Sequence, residues 1–158
     1  MTTGDMTSDE VQVVTFKVGR QEFAFDILQV ERILRYSEPS PLPKAPAFLE
    51  GLLPYENGAV PVIDLRKRFE LEAAITDDTR LMVLELEDQR VAVLVDAVCE
   101  VVKVDSTAIS APGSVVAGLA AVYIAGIIAL PERTIIILNS RKLLSSTERL
   151  ALATLGAA

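Results

Sequence analysis

G-L-L-P-Y-E-N-G-A-V-P-V-I-D-L, from Gly51 to Leu65, reads as strand, turn and strand. Leu52 and Leu53 are apolar. Pro54, Asn57 and Gly58 are turn formers: proline fixes φ, whereas asparagine and glycine tolerate φ > 0. Val60, Val62 and Leu65 then bracket a β-branched run that stops at Asp64. Successive strand residues point to opposite faces, so Val62 and Ile63 each need something to pack against, one on either side.

The pattern returns at Gly126–Ser140, G-I-I-A-L-P-E-R-T-I-I-I-L-N-S. Gly51 matches Gly126, Leu52 and Leu53 match Ile127 and Ile128, and Val62 and Ile63 match Ile137 and Leu138. Asp64 matches Asn139, and Arg66-Lys67 matches Arg141-Lys142. A second echo precedes each copy: Arg20–Asp26 (R-Q-E-F-A-F-D) resembles Arg90–Asp96 (R-V-A-V-L-V-D). Two echoes in the same order indicate a duplicated β-unit.

Working outward, the rest of the chain supplies more strands. Val11–Val18 alternates, with Val14, Phe16 and Val18 on one face. Gly19-Arg20 turns and Gln21–Phe25 returns. Asp26 stands as an N-cap, and Ile27, Val30, Ile33 and Leu34 have a helical spacing that predicts a helix over I-L-Q-V-E-R-I-L. Pro39, Pro41, Pro43 and Pro46 make an extended connector. Arg66–Phe69 is a short helical turn, and Glu70–Thr79 is an acidic link. Leu81–Leu86 and Val91–Val95 form a further hairpin, Val98–Val104 a strand, and Asp105–Gly118 a loop. Val122–Leu130 and Thr134–Leu138 end the second unit. Ser145–Glu148 is a capping box, S-x-x-E, opening a terminal helix. Short strands with turn signals between them give an all-β barrel pattern. Residues 1–9 form a loose polar tail, 10–145 the domain, with approximate halves 10–69 and 80–145, and 146–158 the C-terminal helix.

Composition narrows the function. The chain of 158 residues is 51% hydrophobic, enough for a well-formed core. Its formal charge of −7 argues against nucleic acid as a partner. The one cysteine, Cys99, forbids an intrachain disulfide, fits a reducing compartment, and is expected to be buried within V-C-E-V-V. The N-terminal residues show no signal peptide. Val115–Leu130 is shorter than the ~20 apolar residues of a spanning helix, so no direct membrane insertion is expected. The absence of histidine removes the commonest acid–base group and metal ligand. With a single cysteine, neither a metal site nor a cofactor loop is expected. Asp26, Asp64 and Asp96 each end an apolar strand. Paired carboxylates serve hydrolases, but the favoured reading is that these accept backbone N–H bonds. The Arg66-Lys67-Arg68 and Arg141-Lys142 clusters are expected to be solvated faces.

The pieces in order resemble the CheW family of chemotaxis coupling proteins over roughly residues 10–145. They are E-F-A-F-D-I-L-Q-V-E-R-I, a proline-rich link, the Gly51 hairpin with P-V-I-D-L, V-A-V-L-V-D-A-V-C-E-V, and Y-I-A-G-I. The resemblance implies two five-stranded SH3-like β-barrels packed together, with short helices. It also implies a non-catalytic, cytoplasmic adaptor at receptor arrays on the inner membrane. Its partners would be the tips of chemoreceptors and the regulatory domain of the histidine kinase CheA. A variant of this reading is a coupler-like scaffold of another sensory pathway; a small carboxylate hydrolase is the competing class. The Met start and capped final helix read as a self-standing module, not a piece of a larger fusion.

On the receptor side the resemblance points to Val30, Arg32, Ile33, Gly51 and Glu56. There the chain departs from the family's N-L-R-G, showing P-Y-E-N-G, with Glu56 in place of the arginine. Arg32 stands where the family's V-x-E-I has its glutamate. Both charges are reversed together, which predicts that Arg32 and Glu56 form an ion pair marking a changed receptor specificity.

Overall fold

The computed structural model describes residues 9–72, 74–86, 89–111, 115–116, 119–145 and 148. The chain runs β1 (Glu10–Val18), β2 (Gln21–Asp26), β3 (Val30–Arg35), β4 (Leu49–Tyr55), β5 (Gly58–Asp64) and α1 (Leu65–Arg68). It continues β6 (Arg80–Leu86), β7 (Gln89–Val95), β8 (Ala97–Asp105), β9 (Ile109–Ser110), β10 (Val115–Val116), β11 (Leu119–Ala120), β12 (Ile124–Ala129) and β13 (Thr134–Leu138). The fold is mostly β, as expected. Two sheets carry it, in the orders β8-β1-β2-β13-β12-β9 and β3-β6-β7-β5-β4.

The duplication is visible in the pairing. β4 with β5 and β12 with β13 are antiparallel hairpins, each with a register shift at its glycine, Gly51 or Gly126. β5 runs parallel to β7 and β13 parallel to β2, so the echoed segments occupy equivalent places. The boundary between the sequence halves does not separate the sheets. β1 and β2 sit between strands of the second half, and β6 and β7 between strands of the first. Each sheet also meets itself. The chain leaving edge strand β8 pairs at the far edge through β9, and the chain leaving β3 pairs with β4 through Ser40 and Leu52, at 2.8 and 2.9 Å.

Alternation divides the core into three. Phe16, Phe25, Ile136 and Leu138 from one sheet and Ile63, Leu65, Met82 and Val93 from the other fill the space between sheets. Val62, Leu81, Val83, Ala92 and Leu94 pack within the five-stranded sheet. Val13, Ala24, Ile128, Ile135 and Ile137 pack within the six-stranded one. Val62 and Ile63 therefore do serve opposite cores. Phe16, Phe23, Phe25, Val62, Ile63, Val93, Val95, Ile136 and Leu138 are buried, and Ile127 is half-buried. An aromatic row, Phe25–Phe16–Phe23–Phe69–Tyr123, crosses the central core with centroid spacings of 5.0 to 6.1 Å.

Four sequence expectations are corrected. The helix after Asp26 is a single 3-10 turn, Ile27–Gln29, followed by β3. Asp26 does cap that turn, accepting from Leu28 N at 3.0 Å. Cys99 is exposed, because β8 is an edge strand whose outer residues meet no second layer. Arg66 is 1% exposed rather than solvated. Val122 lies in a 3-10 turn and the strand begins at Ile124. The capping box forms: Glu148 N donates to Ser145 Oγ at 3.2 Å, and Ser145 N to Glu148 Oε1 at 2.9 Å. The rest of the expected terminal helix lies outside the described residues.

Candidate functional site

The site begins with a β-bulge. In β3 the register passes from Val30 opposite Leu84 to Arg32 opposite Val83, leaving Glu31 as an extra residue. Val30 faces the between-sheet core with Leu84, half-buried. Arg32 faces the other way with Val83. Glu31 meets Tyr55, the last residue of β4, whose hydroxyl donates to Glu31 Oε2. Arg90 of β7 donates from Nε to Glu31 Oε1 at 2.8 Å and lies 3.7 Å from Glu56 through Nη1. The guanidinium carbons of Arg32 and Arg90 lie 5.7 and 6.0 Å from the Tyr55 ring centroid, within cation–π range. β3 and β4 are opposite edges of the five-stranded sheet, so these side chains close the sheet at one end.

The charges perturb one another as chemistry requires. Tyr55's hydroxyl, then Arg90's guanidinium, hold the Glu31 carboxyl below the usual carboxylate range. The same hydrogen bond to Glu31 raises the Tyr55 phenol. Hydrogen bonding to Glu31 raises Arg90. At neutral pH Glu31 and Arg90 are therefore held charged, while the Tyr55 phenol keeps the proton it donates.

The expected residues are brought together only in part. Arg32 and Glu56 both border Tyr55, but the pair expected between them is not formed. Glu56 pairs with Arg90, and among the described residues no ion pair involves Arg32. The cause is local: β3 is a strand, and Glu56 sits at the tip of the β4–β5 turn with φ 53°. Ile33 is 41% exposed. Gly51 belongs to the scaffold, since a Cβ there would lie 2.2 Å from Ser40 O. Glu31, Tyr55 and Arg90 were not singled out from the sequence. Tyr55 lies in the hairpin that opens the reading, and its amphipathic ring at a strand end was the available signal.

The strand-ending aspartates are committed elsewhere. Asp64 accepts from Arg66 N and Nε, both at 2.9 Å. Asp96 accepts from Gly19 N at 2.7 Å and Arg66 Nη1 at 2.9 Å. Arg66 Nη1 also donates to Ala74 O at 2.6 Å. Burial pulls the Arg66 guanidinium down, but hydrogen bonds to Asp64 and Asp96 outweigh it and leave it raised. The three carboxylates serve as caps and as partners of a buried cation. A cleft lined by Gln29, Glu85, Leu86 and Arg141 holds about 170 Å³, below the ~300 Å³ where small-molecule sites begin.

The duplicated β-architecture, with its strand-ending carboxylates committed to structure, defines the class of small mostly-β modules. Comparison with known proteins gives the particular family. The CheW-like domain model matches residues 12–148, and the chain belongs to that family of non-catalytic chemotaxis scaffolds. It is 32% identical to the chemotaxis protein CheW of Treponema pallidum over 155 residues, covering 95% of this chain and 91% of that protein. It is 32% identical to CheW of Klebsiella aerogenes over 138 residues, covering 87% and 83%. The crystal structure of the scaffolding protein TtCheW from Thermoanaerobacter tengcongensis superposes with a TM-score of 0.81 at 27% identity, covering 89% of this chain and 91% of that one. Among the described residues no helix is long and apolar enough to cross a membrane.

Proposed function

We propose that this chain is a cytoplasmic coupler, bridging the tips of chemoreceptors to the regulatory domain of a CheA-type histidine kinase at arrays under the inner membrane. The observation that carries the reading is the family match over residues 12–148. The receptor-facing surface would be the closed end of the five-stranded sheet. Arg32, Ile33 and Glu56 present it, Val30 supports it from the core side, and Gly51 lets the proline-rich connector lie against β4. The experiment is reconstitution: the chain, a CheA-type kinase and receptor cytoplasmic fragments, read by kinase autophosphorylation. Activation that requires all three components supports the bridge. Equal activity without the chain defeats it.

A second reading is favoured by the Arg32 and Glu56 positions: a CheW-like scaffold of a sensory pathway other than chemotaxis. Deleting the coding sequence decides between them. Loss of swimming bias supports the first reading; normal swimming with loss of another CheA-type output supports the second.

A further inference from the structure

The two ends where the sheets close are equivalent in position and different in content. In the six-stranded sheet, Arg133 of the β12–β13 turn lies 2.5 Å from Glu100 of edge strand β8 and 3.3 Å from Glu22 of β2. In the five-stranded sheet, Arg90 of β7 lies 2.8 Å from Glu31 of edge strand β3 and 3.7 Å from Glu56 of the β4–β5 turn. Each triad takes one group from the edge strand, one from the strand two places in, and one from the hairpin turn. One guanidinium between two carboxylates recurs, so the triads account for closure. Arg32 is left over. It is exposed, it belongs to neither triad, and its guanidinium is held over the Tyr55 ring. The six-stranded sheet has Leu130 where Tyr55 stands, each opposite the residue that closes its turn. It therefore lacks that platform.

We infer that Arg32 is the anchor for a carboxylate on the receptor tip, with an apolar side chain of the same segment seated on Ile33. This deepens the receptor-facing reading above and rests on it. A guanidinium offers a planar fork that a carboxylate meets with two parallel hydrogen bonds. The Tyr55 ring, its centroid 5.7 Å from the guanidinium carbon, narrows the positions Arg32 samples before the partner arrives, which reduces the ordering cost of binding. Among the described residues Arg32 forms no ion pair, and an exposed cation of that kind steers an acidic partner and disfavours a basic one. A receptor whose contact residue is Lys or Arg, complementary to a glutamate at this position, is selected against here.

The test is calorimetric titration of the full chain with cytoplasmic hairpin fragments of chemoreceptors from the organism that encodes it. For a fragment that binds, Arg32→Glu lowers affinity about tenfold or more and Arg32→Gln less. Arg35→Gln, on the same strand, changes it by less than about twofold. Binding of the kinase regulatory domain by Arg32→Glu stays unchanged, which shows the fold is intact. Reversing one acidic residue of the fragment to arginine restores binding to Arg32→Glu. Arg32→Glu binding as tightly as the unmodified chain overturns the inference and leaves the receptor-facing reading standing. An unmodified chain that binds the kinase domain but none of the fragments overturns the reading itself.

Discussion

Glu56 holds φ 53° at the first position of a two-residue turn, a left-handed conformation that costs a non-glycine residue about 1–2 kcal/mol. Its ion pair with Arg90, at 3.7 Å and half exposed, returns at most ~1 kcal/mol. Glu56→Gly should therefore leave thermal stability unchanged or raise it by up to about 1 kcal/mol; a drop in the melting temperature would show that the pair outweighs the strain. The sequence placed positive φ on Asn57 and Gly58 from residue type. The strand register decided otherwise, since the turn closes between Tyr55 and Gly58. Gly51, named from the sequence for its place in the repeat and on the receptor side, has a steric role in the structure. It has φ 151° and backbone atoms of Ser40 within 2.7 Å of a built Cβ, whereas at Gly126 the nearest atom is a side-chain methyl of Ile109. Gly51→Ala should cost well over ~1 kcal/mol and more than Gly126→Ala, measured by urea denaturation; equal costs would refute the close-approach argument. Arg66 shows what one dimension hides. Its neighbours Lys67 and Arg68 look the same in sequence, yet only Arg66 falls between Asp64, Asp96 and Ala74 O. Arg66→Ala leaves Asp64 buried without its cation, and about 3–5 kcal/mol of stability should go with it.

β3 is the element the sequence misread, and the bulge explains how. A plain strand puts residues two apart on one face, but the extra residue at Glu31 puts Val30 and Ile33, three apart, opposite Leu84 and Met82 of one core. The 3-10 turn before it extends the same spacing back to Ile27. Apolar residues at 27, 30, 33 and 34 are thus what an amphipathic helix and a bulged strand both write. The hairpins β4–β5 and β12–β13 were legible because their register shifts fall at a glycine near the start, leaving the residues after Gly51 and Gly126 regularly paired. Of the candidate site, Arg32 and Glu56 were named from the sequence, while Tyr55 and Arg90, which lie beside them, become neighbours only when the sheet curls. The bulge also creates the site's pH response. The folded-state Glu31 carboxyl is held below its usual range by Tyr55 and Arg90. Its contribution to stability is therefore full above the unfolded carboxylate pKa of about 4.3 and is lost as pH falls through the lower folded value. Urea midpoints for the unmodified chain and Glu31→Gln should differ at neutral pH and converge toward pH ~3. A difference that persists at acid pH would assign the loss to packing instead.

At the scale of the whole molecule, the reciprocal interleaving of the halves sets how the chain folds. Removing β6 and β7 from the order β3-β6-β7-β5-β4 leaves β3 with no neighbour and β4–β5 as a bare hairpin. Removing β1 and β2 from the other sheet strips β8 of its partner and β13 of its parallel neighbour. Either half alone is then a set of hairpins, and a lone hairpin is marginal in water at best. The central core would also be split, because Phe16, Phe23 and Phe25 come from one half and Met82, Val93 and Leu138 from the other. The connector Glu70–Thr79 that joins the halves is exposed for most of its length, so cutting it removes little packing. Fragments 1–75 and 76–158, produced separately, should each show a collapsed amide spectrum and no cooperative melt. Mixed in equal amounts they should recover dispersed amides, β-type circular dichroism and a single transition whose midpoint rises with concentration, because association replaces the lost connection. A cooperative melt and a dispersed spectrum from either fragment alone would mean that the interleaving is dispensable and that each half forms a self-sufficient barrel.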